Sequence, residues 1–208
     1  MAGFGDLNVD TFFEQLGAKT PAPGGGAAAC MAGATAAALA HMVVAYSLGK
    51  KNLAEHETHL QQASASLARV RALMLQLADE DAAAYALVNE LQKLPEGDAR
   101  REAEFTGAAE AAVAVPRAAL ALSLDMLRLV ESLCGRSNKF LRSDLAIAAV
   151  LGEAAARSAW WNVNINLPLL TDVAERGRIG AEGERACAKA REIRAAVEGA
   201  CGGGEVDV

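Results

Sequence analysis

The chain has 208 residues, 52% of them hydrophobic and 22% charged, which is enough for one domain with a substantial core. A formal charge of −6 with no basic stripe excludes a nucleic-acid-binding protein, because phosphates need a cationic footprint. Aromatics are only 4% and alanine fills long stretches. With no β-branched runs bounded by turn residues, that composition predicts an all-α fold: a multi-helical bundle of five or six helices, several of them long.

The N-terminal stretch MAGFGDLNVD carries acids and no basic segment, so it does not read as a signal peptide. Thr11–Glu14 reads T-x-x-E, a capping box for a short helix that Gly17 would close. A loop, KTPAPGGG, follows and runs into Ala27–Leu48, a stretch without a single charge. Its length suits a transmembrane helix, but it is mostly Ala and Gly and includes His41 and Ser47. A small, uncharged helix of this kind is expected to be buried against neighbours or a second subunit, so no membrane is expected. Gly49 ends it, and Lys50 and Lys51 follow at its negative dipole end.

Helical pattern then runs from about Ala54 to Lys93, up to Pro95 and Gly97. A further helix is predicted over about Asp98–Cys134, with Pro116 as a kink or restart and Gly135 as its cap. After the polar loop GRSNKFLRSD, Ser143 or Asp144 is the expected cap of a helix reaching about Asn166, with Pro168 beyond. A last charged helix is expected over about Ala181–Glu198. Residues 1–200 thus read as one helical domain, and 201–208 as a disordered Gly-rich tail.

Chemistry concentrates in three places. Leu67, Val70, Met74, Leu77, Asp81, Ala84, Val88 and Leu91 recur at alternating steps of three and four, so they share one seam of a helix. Asp81 is the one carboxylate on it, and Asp79 points away. Burial raises a carboxylate's pKa, so Asp81 is either a proton carrier near neutral pH or a buried acid satisfied by an Arg or a backbone amide. The loop Pro23–Gly24–Gly25–Gly26 exposes N–H groups at a helix N-terminus and suits an anion or carbonyl. On physics alone a tight turn for close helix packing explains it slightly better. It matches neither a dinucleotide-binding fingerprint nor a P-loop. In WWNVNINLP, Asn162 and Asn166 share a face and Asn164 does not, so two amides end an apolar stripe. They serve either a ligand or a helix partner. Trp160 and Trp161 read as packing residues.

His56 and His59 lack a third ligand, so no metal site is expected; His41 reads as a satisfied core histidine. Cys30, Cys134, Cys187 and Cys201 form no C-x-x-C pair and read as free thiols of a cytoplasmic protein. No nucleophile motif is present.

Five segments, in order, resemble the cyclodeaminase/cyclohydrolase family of tetrahydrofolate enzymes. They are KTPAPGGG (Lys19–Gly26), GKK (Gly49–Lys51), ADEDAAAY (Ala78–Tyr85), SDLAIAA (Ser143–Ala149) and NVNINLP (Asn162–Pro168). The resemblance implies an all-α homodimer with active sites near the subunit interface. It implies action on the N5–N10 bridge of a tetrahydrofolate one-carbon adduct: cyclising 5-formimidoyltetrahydrofolate with loss of ammonia, or hydrolysing 5,10-methenyltetrahydrofolate. It places the catalytic aspartate, in a D-x-x-A-[FY] element, at Asp81. The substrate would be bound by Pro23, Gly24, Gly25, Gly26, Lys50, Lys51, Asn138, Ser143, Asp144, Asn162 and Asn166, with no metal or redox cofactor. The lysines would meet the folate glutamate tail. Where members often carry a hydroxyl residue after PGGG and an aromatic after GKK, this chain has Ala27 and Asn52–Leu53. The competing expectation is a non-catalytic helical module that binds folate or only dimerises.

Overall fold

The computed structural model describes residues 3–202; residues 203–208, most of the expected tail, lie outside them. Among the described residues there are six α-helices and no strand. They are α1 (Val9–Leu16), α2 (Gly25–Ala45), α3 (Glu57–Gln92), α4 (Ala99–Ser132), α5 (Arg142–Asn166) and α6 (Val173–Gly202). Short 3-10 turns at Phe4–Asp6, Lys51–His56, Lys139–Leu141 and Leu167–Leu169 connect them.

Four long helices, α2 to α5, make a bundle in which α2 packs on α3 and α5, and α4 packs on the same two from the other side; α6 lies along α5 and α4. Leu60, Leu67 and Met74 of α3 meet Val43 and Val44 of α2, Met126 and Leu127 of α4, and Leu145 of α5 in one core. α2 is long and apolar enough to cross a bilayer, yet more than half of it is covered by its neighbours. α5 runs antiparallel to α2: Asn162 faces Gly25 at one end, and the Asn138 N–H donates to Ser47 Oγ at the other.

Local chemistry moved several helix boundaries. Asn8, not Thr11, caps α1: its Oδ1 accepts from the Thr11 N–H at 2.8 Å, so the helix starts before the T-x-x-E box. Asp98 caps α4 by accepting from the N–H groups of Arg100 and Arg101, and α4 passes Pro116 without a break. Ser143 and Asp144 lie inside the first turn of α5 and do not cap it; Asn138 instead caps the preceding 3-10 turn, accepting from the Phe140 N–H. α6 begins at Val173, well before Ala181, because Asp172 Oδ1 accepts from the N–H groups of Ala174 and Glu175. It also continues through Cys201 and Gly202, the first two residues of the expected tail. Gly183 on α6 is where Trp160 packs: a Cβ there would lie 2.1 Å from the indole. Trp161, expected to pack, is 69% exposed.

Candidate active site

The α3 seam is buried at Leu67, Val70, Met74, Ala84, Val88 and Leu91, and opens at Leu77 and Asp81. Asp79, on another face, accepts from the Phe4 N–H at 2.8 Å and ties the N-terminal turn to α3. Asp81 is half-buried, and no hydrogen bond or ion pair from a described residue reaches its carboxylate. Burial pushes its pKa above the ordinary carboxylate value. The alternative expected from sequence, an acid satisfied by an arginine or a backbone amide, is absent among the described residues.

The carboxylate lies against the N-terminus of α2. A Cβ on Gly26 would sit 1.9 Å from Asp81 Oδ2, and one on Gly25 would sit 3.4 Å from Asn162 Oδ1. Gly26 therefore makes room for the Asp81 carboxylate, whereas a side chain at Gly25 would be in ordinary contact with Asn162 and Gly24 faces open space. Close approach of the acid is the physical reason for glycine at position 26. Cys30, one turn along α2, shares the pocket; burial first, and the Asp81 charge second, push its thiol up to about 12. It stays protonated and is no nucleophile.

Asp81 stands between two spaces. Outside it is a cleft of about 240 Å³ lined by Pro21, Ala22, Gly24, Ala82, Tyr85 and Asn162. Inside it is a slot, too tight for water, between Cys30 on α2, Val115, Pro116 and Ala119 on α4, and Ala159 and Asn162 on α5. A larger hollow of about 380 Å³ separates α4 from the start of α6. There Arg117 pairs with Glu182 at 3.1 Å, Glu175 with Arg178 at 2.5 Å, Asp172 caps α6, and Glu110 is exposed to solvent. A half-buried acid whose pKa burial has raised is the better mark of a reacting centre.

The structure brings Gly24, Gly25, Gly26, Asp81 and Asn162 together, with Pro23 buried beneath the loop. The other residues expected to bind substrate lie elsewhere. The Asn166 Nδ2–H donates to the Ala112 carbonyl at 2.8 Å, so this amide serves a helix partner. Lys50, Lys51, Asn138, Ser143 and Asp144 gather at the far end of α2, whose 21 residues span about 30 Å. There Asn138 is tied to Ser47 and Tyr46. Sequence reasoning missed Tyr85 and Cys30; Tyr85 stands four residues after Asp81, the i,i+4 spacing that shares a face. His59 bonds Ser132, and His41 bonds Ser64.

Fold and cleft together define an all-helical protein with, at a glycine-lined helix N-terminus, a half-buried acid that has no partner among the described residues. The chain belongs to the formiminotransferase-cyclodeaminase family, whose model matches residues 8–185. It is 32% identical over 172 residues to a methenyltetrahydrofolate cyclohydrolase of Methylorubrum extorquens, covering 81% of this chain and 83% of that protein. It is 31% identical over 173 residues to the formimidoyltransferase-cyclodeaminase of Sus scrofa, again 81% of this chain but only 32% of that longer protein. Its fold is similar to the crystal structure of formiminotetrahydrofolate cyclodeaminase from Thermotoga maritima: TM-score 0.88, 29% identity, 96% of this chain and 98% of that one.

Proposed function

We propose that this protein is an enzyme of tetrahydrofolate one-carbon chemistry that makes or opens the N5–N10 bridge, with Asp81 as the proton carrier. The observation that carries this reading is the half-buried, partnerless Asp81 carboxylate with its raised pKa at the mouth of a cleft. In the cyclising direction, N10 attacks the formimino carbon on N5, and the N10 proton must reach the departing amine. A single acid that first accepts and then donates balances the step, and a pKa raised toward neutrality suits both halves. In hydrolysis, water attacks the methenyl carbon and Asp81 takes one of its protons; Asp81 returns that proton to N5 as the N5–C bond breaks, and the remaining hydroxyl proton leaves to solvent as the 10-formyl carbonyl forms. Protons move and electrons do not, so neither scheme requires a metal or redox cofactor. Asn162 and the free N–H groups at Gly24 and Gly25 are placed to hold polar edges of the substrate.

The working unit in this reading is a homodimer. Ligand pockets run to roughly 300–1,000 Å³, and the Asp81 cleft falls short of that at about 240 Å³. The uncovered face of α2 carries Ala28, Met31, Thr35, Ala38, Met42 and Ala45, an uncharged stripe at alternating three- and four-residue steps. Two copies crossed antiparallel at Thr35, the midpoint of α2, would set the Tyr46–Lys51 end of one protomer beside the Gly24 loop of its partner. Lys50 and Lys51 would then reach the glutamate tail of a folate bound at the other protomer's Asp81. Four free thiols suit the reducing cytoplasm.

The near-ultraviolet absorbance of 5,10-methenyltetrahydrofolate tests this. Protein-dependent loss identifies the hydrolytic direction; appearance of the chromophore from 5-formimidoyltetrahydrofolate, with ammonia released, identifies the cyclising one. No change with either substrate contradicts the proposal and favours a binding module.

A further inference from the structure

Pro116 lies deep inside α4, where a proline ought to break the helix: it has no N–H to give, so the Ala112 carbonyl four residues earlier loses its partner. The helix nevertheless runs on, and the orphaned carbonyl is not left bare. Asn166, 54 residues later in the chain and the last residue of α5, donates its Nδ2–H to that oxygen at 2.8 Å. A side chain on one helix thus replaces the backbone bond that proline deletes in another.

Each end of this contact lies one turn from a residue that lines the slot behind Asp81. Pro116, with Val115 and Ala119, forms the α4 wall of the slot behind Asp81. Asn162, one turn before Asn166 on α5, forms the facing wall and reaches into the outer cleft. We propose that Asn166 is a positioning residue, whose amide latches the last turn of α5 to the Ala112 carbonyl that Pro116 leaves free in α4 and so fixes the width of the dry slot behind Asp81. The proline gives the slot a rigid apolar wall with no donor to attract solvent, and frees the one carbonyl that α5 can grip. Without the latch, a part-buried carbonyl goes unpaired, water enters to satisfy it, and the walls separate. This rests on the reading of Asp81 as the proton carrier.

A double-mutant cycle tests it, because Pro116→Ala restores a helix N–H to the Ala112 carbonyl and makes Asn166 dispensable. The readouts are the Asp81 carboxyl titration, followed by carbon-13 NMR on the full chain, and the kcat and KM of bridge turnover. The titratable groups facing Asp81 are Cys30 on α2 and Tyr85 on its own helix; α4 and α5 present it only apolar side chains and the neutral Asn162. Asn166→Ala alone should move the Asp81 midpoint to lower pH and cut kcat on the order of tenfold, with KM little changed. In the Pro116→Ala background the same substitution should do neither. Equal shifts in the two backgrounds, or lost thermal stability with an unmoved Asp81 titration, would overturn the proposal. If Asn166→Ala does not fold, adding Pro116→Ala must restore folding; a double variant as unfolded as the single one also overturns it. Failure of the folate reading would show separately, as no turnover by the wild-type protein while the NMR comparison still stands.

Discussion

The two ends of α2 are built on opposite principles. At the C-terminal end the buried hydroxyl of Ser47 is fully partnered. Ser47 is fully buried, donates its hydroxyl to the Val43 carbonyl at 2.6 Å, and accepts the Asn138 N–H at 2.8 Å. Beside it, Gly49 adopts a left-handed φ of +72°, and its N–H donates to Glu57 at 3.0 Å. At the N-terminal end the side chains are stripped to hydrogen at Gly24, Gly25 and Gly26, and the carboxylate pressed into that space has no hydrogen-bond or ion-pair partner among the described residues. A satisfied hydroxyl ties one end of α2 to the next helix, and the proposed chemistry sits at the other end, on a half-buried acid without a partner among the described residues.

Substitutions at the two ends sharpen this contrast. The largest effect is expected at Gly26. Gly26→Ala demands space held by the Asp81 carboxyl, at 1.9 Å, so the acid must swing away. Bridge turnover should fall on the order of a hundredfold, as misplaced catalytic groups do, while circular dichroism stays helical; unchanged steady-state kinetics would break the comparison. Next comes Thr35→Arg, which sets two like charges against each other at the proposed two-fold crossing of α2. Light scattering should find a monomer, and kcat/KM should drop although the α2 N-terminus against which Asp81 lies is about 15 Å from Thr35, at 1.5 Å per residue. A dimer that keeps full activity would remove α2 from the interface.

The third effect concerns pH. Because the folded pKa of Asp81 is raised, the native state binds more protons than the unfolded chain between the two pKa values. The Asp81 contribution is therefore lost as pH rises through that window. Asp81→Asn escapes the loss, so its melting temperature should gain on wild type as pH increases from the ordinary aspartate range toward neutrality. A constant gap across that range would mean Asp81 titrates normally. The smallest effect belongs to the other end: Ser47→Ala leaves the Asn138 N–H unpaired in the bundle and should cost about 1–3 kcal/mol in urea unfolding. Its kcat should stay near wild type, since the proton carrier is untouched.

How far the sequence disclosed this molecule depends on the distance over which each feature is written. The helices were legible because periodicity and caps act within a few residues; the errors at Thr11, Ser143 and Ala181 arose where Asn8, Asn138 and Asp172 offered other caps. Asp81 was legible because a lone carboxylate on an apolar seam breaks a pattern eight positions long. The purpose of Gly26 was not, because it depends on a carboxylate 55 positions away along the chain. Nor was the role of Asn166: the gap it fills is made by Pro116 in another helix. Lys50 and Lys51 were expected to meet the folate glutamate tail, and within one chain the length of α2 separates them from the Gly24 loop, a distance the sequence motif alone does not give.

The most direct test of the central claim is a single-turnover experiment with Asp81→Asn, following methenyltetrahydrofolate absorbance after mixing with excess protein. Removal of a general acid–base is worth roughly 10²–10⁴ in rate. The account predicts that this variant binds folate with wild-type affinity and converts it slower by that order. Conversion at a rate close to wild type would contradict it, and would mean that the partnerless carboxylate at the glycine loop is not where the proton moves.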